Sequence, residues 1–305
     1  MKLATYRDGS RDGQLVVVSA DLSTAHYATG IAGRLQQVLD DWNFLSPLLE
    51  DLSATLNHGK PRHAFPFDPA QCMAPLPRAF QWLREDAASV AGNAGPALSL
   101  IQGAADDLLG PRDDARFADE ADAIGFDVGL AAITADVNRG ASADQGLDAV
   151  RLLVLVGDWS LRRRLGADGA ATVDSQPATA CAAVALTPDE LGAAWSGGFV
   201  EGALSVSLNG GPAVRRATGR GASRRSFGEL IQAAATTRRL RAGCIVGTGA
   251  LASGDDLGDP PPQSSTADRP SGPAGLRFGD RLRIAFADAA GRSPFGEIDQ
   301  AVRAG

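Results

Sequence analysis

The stretch Ile124–Arg162 constrains this chain more than any other. Two apolar runs, GFDVGLAAITADV (Gly125–Val137) and RLLVLVGDWSLR (Arg151–Arg162), flank a polar connection, and one aspartate interrupts each run early or late. Short apolar runs rich in Val, Leu and Ile read as strands. An aspartate within such a strand is costly to bury unless something compensates its charge. Asp127 and Asp158 are therefore the residues whose surroundings matter first. Either each sits at a strand end and caps a turn, or the two belong to a site.

The rest of the chain sets the frame. At 305 residues it is long enough to bury a sizeable core, as one large domain or a large one with a small companion. Apolar content of 44% and charged content of 21% fit a soluble globular protein. A net charge of −7 argues against a broad nucleic-acid surface. The three cysteines, Cys72, Cys181 and Cys244, are far apart and form no CxxC pair, which suggests neither a zinc site nor a disulfide framework. They are expected to be small core residues, and Trp42 and Trp82 packing residues. The first residues, MKLATYRDGS, lack a signal-peptide apolar region, and no apolar run approaches the ~20 residues that span a bilayer. The expectation is a cytoplasmic protein without membrane or nucleic-acid partners.

Along the chain, Lys2–Tyr6 and Gln14–Ser19 read as strands of a hairpin joined by Asp-Gly turn chemistry. Leucines at helical spacing across 33–58 predict one or two amphipathic helices with a break near Ser46-Pro47. Residues 1–76 form a small N-terminal α/β domain in this reading, and 77–305 the main domain. The Pro-punctuated Phe65–Leu83 segment links them. Ser142 is a plausible N-cap of a helix feeding the second apolar run. Thr179–Leu186 reads as a strand, Asn209-Gly210 as a hairpin turn and Ser226–Gly243 as a capped helix. Ser253–Gly275 is a low-complexity loop, and Leu282, Ile284 and Phe286 alternate as in a strand. Many short strands and few helices give an α+β, β-rich fold.

Several motifs in order then carry a family resemblance: LGPRDD, AITADVNRGAS, LLVLVGDWSLR, QPATA, TPDELG, FGELI, TTRRLRAGCIVGTG and FGDRLRI…GRSPFGEID, preceded by MKLATYRDG…HYATG and FPFDPAQCMAPLPRAFQW. Together they resemble the fumarylacetoacetate hydrolase family over nearly the whole chain. The resemblance implies a rolled β-core domain behind a small N-terminal domain, usually dimeric. It implies hydrolysis of a C–C bond in acylpyruvates or β-diketo acids, with Mg²⁺ or Mn²⁺ chelating the dicarbonyl and a histidine activating water.

By that resemblance the metal is held by four carboxylates. Asp158, in DWSLR, keeps one position, and Asp127 takes a second as a shortened acid. Gly129 stands at a third. The first falls on Arg84 and the histidine on Ala91, with Glu85 and Asp86 as nearby acids; no histidine follows His63. The family's lysine falls on Gln176 and its threonine on Ala250. The expected metal ligands are thus Asp127 and Asp158, and Arg162 the expected contact to a carboxylate substrate, with no catalytic residue assigned. The implied function is a family member eroded toward a pseudoenzyme. Two alternatives stand beside it. One is a working enzyme in which Arg84, Arg162 and the RRR run bind an anionic carboxylate without metal, although an arginine run more often forms a solvated turn. The other is a non-catalytic subunit modulating an active paralogue. A homodimer is expected.

Overall fold

The computed structural model describes residues 1–59, 61–86, 98–167, 170–223, 225–257 and 275–305. In chain order its strands are β1 (Lys2–Tyr6), β2 (Gln14–Val18), β3 (Thr24–Tyr27), β4 (Phe65–Pro66), β5 (Trp82–Glu85), β6 (Leu100–Gly103), β7 (Ala115–Phe117), β8 (Ile124–Thr134), β9 (Val150–Leu161), β10 (Ala178–Cys181), β11 (Ala185–Leu186), β12 (Trp195–Ser196), β13 (Phe199–Val200), β14 (Gly202–Leu208), β15 (Val214–Thr218), β16 (Ile245–Gly247), β17 (Ala252–Ser253), β18 (Arg281–Ala287) and β19 (Glu297–Ala304). The α-helices among the described residues are α1 (Leu35–Asp40), α2 (Trp42–Asn57), α3 (Ala143–Asp148) and α4 (Phe227–Ala234). The fold is α+β and β-rich.

Among the described residues the main sheet runs β4-β3-β2-β1-β11-β9-β8-β16-β5-β6, with β10 added to β9 and β17 to β8; a second sheet runs β15-β14-β18-β19-β7. The two apolar runs are the antiparallel ribbon β8–β9 at the centre of the main sheet. Both of its faces are covered, which is why its sequence reads as continuous apolar runs rather than strict alternation. On one face Phe126, Val128, Leu130, Leu153, Leu155 and Trp159 pack in a core shared with the second sheet and α4. On the other, Ala131, Ile133, Leu152, Val154 and Val156 share a core with Leu3, Leu15 and Val17 and with the helices α1 and α2. Each fully buried leucine in such a core contributes about 2 kcal/mol.

Several local expectations shift for identifiable reasons. The break between the first two helices falls at Asp41, whose φ of −130° and ψ of 48° are non-helical, and Pro47 lies inside α2. Pro47 lies in the second turn of that helix, where it removes the bond to the Asn43 carbonyl and its ring crowds that oxygen. Thr179–Leu186 is two strands rather than one, because after Ala182 bonds Leu155 the amide of Val184 turns to the Phe295 carbonyl. The helix begun by the Ser226 capping box ends at Ala234. Beyond it the backbone pairs with the 137–140 segment instead, Gly140 bonding Ala235 and Leu240 exchanging bonds with Val137. Asn209 and Gly210 both have positive φ and sit at the centre of a tight turn closed by Gly211 bonding the Leu208 carbonyl, inside the longer loop that follows the last hairpin pair, Val206 with Val214. Most of the low-complexity loop, residues 258–274, lies outside the described residues.

Candidate functional site

The ribbon register sets the site. Asp127 stands directly opposite Asp158, and Gly129 opposite Val156, inside the strands. Neither aspartate caps a turn at a strand end. Strand alternation turns Gly125, Asp127 and Gly129 to the face that also carries Ala131 and Ile133. The same face is therefore apolar at one end and acidic at the other. Two like charges directly opposite each other destabilise a sheet, so the pairing requires a cation.

Arg84 supplies it from two strands away. β16 pairs with β8 on one side and, in parallel, with β5 on the other, setting Gly247 beside both Ala131 and Arg84. Trp82 and Arg84 point to the same face of β5 and reach back across the sheet. A Cβ on Gly247 would fall 2.2 Å from the Trp82 ring, so glycine at this point lets the indole lie across the strand. The Trp82 Nε1 donates to Asp158 Oδ1 at 2.7 Å, and Thr179 Oγ1, directly opposite Asp158 on β10, donates to the same oxygen at 2.6 Å. The other oxygen, Oδ2, lies 3.0 Å from Arg84 Nε. That contact is a charge contact rather than an aligned hydrogen bond, because Nε is buried with no hydrogen-bond partner. Arg84 Nη2 donates to Gln176 Oε1 at 2.8 Å and lies 3.7 Å from Asp127 Oδ2. Arg84 is 3% exposed and Asp158 4%. One guanidinium thus stands between two carboxylates and an amide oxygen, and breaking such a buried set is costlier than never having built it.

The other expected positions are accounted for in turn. Beside Gly129 there is no room for a longer side chain: a Cβ would come within 2.4 Å of the Gly249 carbonyl oxygen and 3.1 Å of Thr248 Oγ1. Arg162 is half-buried and lies over Gly125, where a Cβ would meet its Nε at 2.7 Å. The rest of the RRR run is exposed, with Arg164 paired to Asp122 at 2.8 Å. Glu85 is buried on the opposite face of β5 from Arg84, its Oε1 3.9 Å from Arg225 Nε. Ala91 lies outside the described residues. His26, His58 and His63 belong to the N-terminal segment, and none is on a strand carrying Asp127, Asp158 or Arg84. All three cysteines are buried. Burial pushes the Cys72 and Cys181 thiols up to about 12 and raises that of Cys244, which keeps them protonated and unreactive at neutral pH. Sequence reading found both aspartates but not the roles of Trp82, Thr179 and Gln176. Their signal is visible only after the strands are paired.

Among the described residues, two cavities lie elsewhere, both beside α1. One, about 480 Å³, is lined by residues that include Trp42, Phe80, Asp136, Arg151 and Arg241. The other, about 380 Å³, includes Arg34, Leu76, Arg78 and Phe80.

A hard divalent cation needs six or more oxygen ligands, several of them anionic or water. Here the Asp158 oxygens are committed to Trp82, Thr179 and Arg84, and a fixed positive charge stands between the two acids. Among the described residues no three His, Cys, Asp or Glu side chains gather closely enough to hold a metal. The donor set does not fit Mg²⁺ or Mn²⁺. No helix among the described residues is long and apolar enough to cross a membrane.

Comparison with known proteins adds family and fold. A family model described as fumarylacetoacetase N-terminal domain 2 matches residues 1–78, and one described as fumarylacetoacetate (FAA) hydrolase C-terminal matches residues 83–303. No curated protein matches the chain. Among solved structures, a probable 2-hydroxyhepta-2,4-diene-1,7-dioate isomerase from Mycobacterium abscessus is similar with a TM-score of 0.71 and 18% identity, over 100% of this chain and 99% of the other. The maleylpyruvate hydrolase from Sphingobium sp. SYK-6, in complex with manganese(II) ion and pyruvate, is similar with a TM-score of 0.67 and 18% identity over 100% of both chains. The fumarylacetoacetate hydrolase from psychrophilic Exiguobacterium antarcticum has a TM-score of 0.64 and 15% identity, again over 100% of both. At these identities the likeness concerns the fold.

Proposed function

Because this chain belongs to the fumarylacetoacetate hydrolase family, we propose that it is a fold-preserving member in which metal-dependent C–C bond hydrolysis has eroded. The observation that carries this reading is Arg84 lodged between Asp127 and Asp158. Hydrolysis of an acylpyruvate requires a cation to chelate the dicarbonyl and stabilise the enolate that leaves. It also requires a base to activate water. The guanidinium is 3% exposed and already engaged, so it offers a substrate no open coordination. No histidine follows His63 in the sequence to act as the base. Loss of a general base alone typically costs ~10²–10⁴ in rate, and loss of an oxyanion stabiliser ~10²–10³.

A related solved structure, the maleylpyruvate hydrolase, contains manganese and pyruvate, so the matching assay uses acylpyruvates and oxaloacetate with Mg²⁺ or Mn²⁺. The expected outcome is turnover far below the ~1–10³ s⁻¹ of ordinary enzymes. Metal-dependent turnover inside that range overturns the reading.

A second reading keeps carboxylate binding without metal and gives it to Arg162, because that side chain lies half-buried on the acidic face over Gly125. Arg84, engaged as it is, argues against a shared Arg84–Arg162 anion pocket. Equilibrium binding of pyruvate or oxaloacetate, lost in Arg162→Ala, separates this reading from the first. We also read the protein as cytoplasmic and homodimeric, and light scattering tests its self-association.

A further inference from the structure

We propose that Arg84 is the resident cation of the Asp127–Asp158 site, a tethered charge standing in for a hard divalent cation, so that metal binding needs an acid in its place. The proposal rests on the eroded-enzyme reading in placing Arg84 where the ancestral metal stood. It adds that one side chain decides occupancy.

Three oxygens from three different segments converge on the guanidinium. Asp158 Oδ2 lies 3.0 Å from Nε, Gln176 Oε1 2.8 Å from Nη2 and Asp127 Oδ2 3.7 Å from Nη2. All three are acceptors, and two are anionic; with one more acid in place of the guanidinium they approach the chemistry of a hard-cation site. The guanidinium does not fit the carboxylates as a fork. Its Nε is buried without an aligned partner although a carboxylate oxygen is in contact range. It acts as a positive charge between two acids more than as a bidentate ligand of either. Directly opposed carboxylates require such a charge, and either an arginine or a metal ion can supply it. They cannot do so together, because a divalent ion beside a buried guanidinium meets strong repulsion in a low-dielectric setting.

The test compares full-length wild-type protein with Arg84→Glu, Arg84→Gln and Arg84→Lys, using MnCl₂ as the probe in titration calorimetry and thermal melting. Arg84→Glu is expected to bind about one Mn²⁺ per chain and to melt roughly 3–8 °C higher in millimolar Mn²⁺. Arg84→Gln, with one carboxylate fewer, is expected to bind at least about ten-fold more weakly. Wild type and Arg84→Lys are expected to show neither binding nor a shift, and a chelator leaves the wild-type melting temperature unchanged. Wild-type Mn²⁺ binding that disappears in Asp158→Asn overturns the proposal, as does folded Arg84→Glu and Arg84→Gln protein that binds none. If Arg84→Glu is recovered unfolded, refolding in Mn²⁺ but not in Na⁺ supports the proposal, and failure in both together with an inert Arg84→Gln overturns it. The eroded-enzyme reading fails separately, by wild-type turnover, and survives intact if only the metal titrations fail.

Discussion

Asp158 accepts from an indole and a threonine on one oxygen and faces a guanidinium with the other. Its charge is therefore part of the core and not a surface ornament. Asp158→Asn keeps the shape and an acceptor for Trp82 but leaves Arg84 with the more distant Asp127 as its remaining carboxylate. The expected loss is about 3 kcal/mol in urea unfolding, the usual scale for breaking one side of a buried pair. A double variant that also replaces Arg84 by Met is expected to lose less than the two single changes summed, since the orphaned charge is gone. At this scale the sequence exposes the problem and hides its solution. An acid in an apolar strand is visible by reading along the chain, whereas its compensating cation sits two strands away on β5. Arg84 was legible as a misfit at a metal position and not as the neutralising partner. Nor does the gap at Gly129 announce that backbone from Gly249 fills it, because that contact depends on how β16 leaves the sheet.

Between elements, charge pairing fastens the second sheet in the same way but nearer the solvent. Asp299 on β19 takes two hydrogen bonds from Arg281 on β18, at 2.6 and 3.0 Å, and a contact from Arg112 at 2.5 Å. Hydrogen bonding from Arg281, reinforced by the nearby arginine charges, holds the Asp299 carboxyl below the ordinary carboxylate value. A depressed folded-state value means that the stabilisation is present above the unfolded value, near ~3.9, and is lost as pH falls through the folded one. Asp299→Asn is therefore expected to cost about 1 kcal/mol near neutral pH, the modest figure reflecting the exposure of Arg281. The cost is expected to shrink toward zero at the acid end; parallel urea titrations across acid and neutral pH check it. Element boundaries were less legible than element types. Alternation at Leu282, Ile284 and Phe286 identified β18, all three being buried. The early end of α4 depended on Leu240 pairing with Val137, a partner that no local pattern names.

Across the whole molecule, the N-terminal strands extend the main sheet. Lys2 and Leu3 pair with Leu186 and Ala185, and the core beneath them mixes Leu3, Leu15 and Val17 with Leu152, Val154 and Val156. A fragment of residues 79–305 is therefore expected to be insoluble or unfolded, and the full chain to melt in one cooperative transition by calorimetry. A soluble, natively folded fragment contradicts this. In time as well as space, the β8–β9 ribbon is incomplete alone. Joined by α3, its strands are close in sequence and suited to zip early, as local pairings do. Zipping, however, sets Asp127 against Asp158 before any counter-charge has arrived. That charge comes with β5, far upstream, and β5 takes its place in the sheet beside β16, far downstream. The ribbon can form early but locks last, so a hairpin that is local in sequence folds at the pace of the longest loop it must wait for.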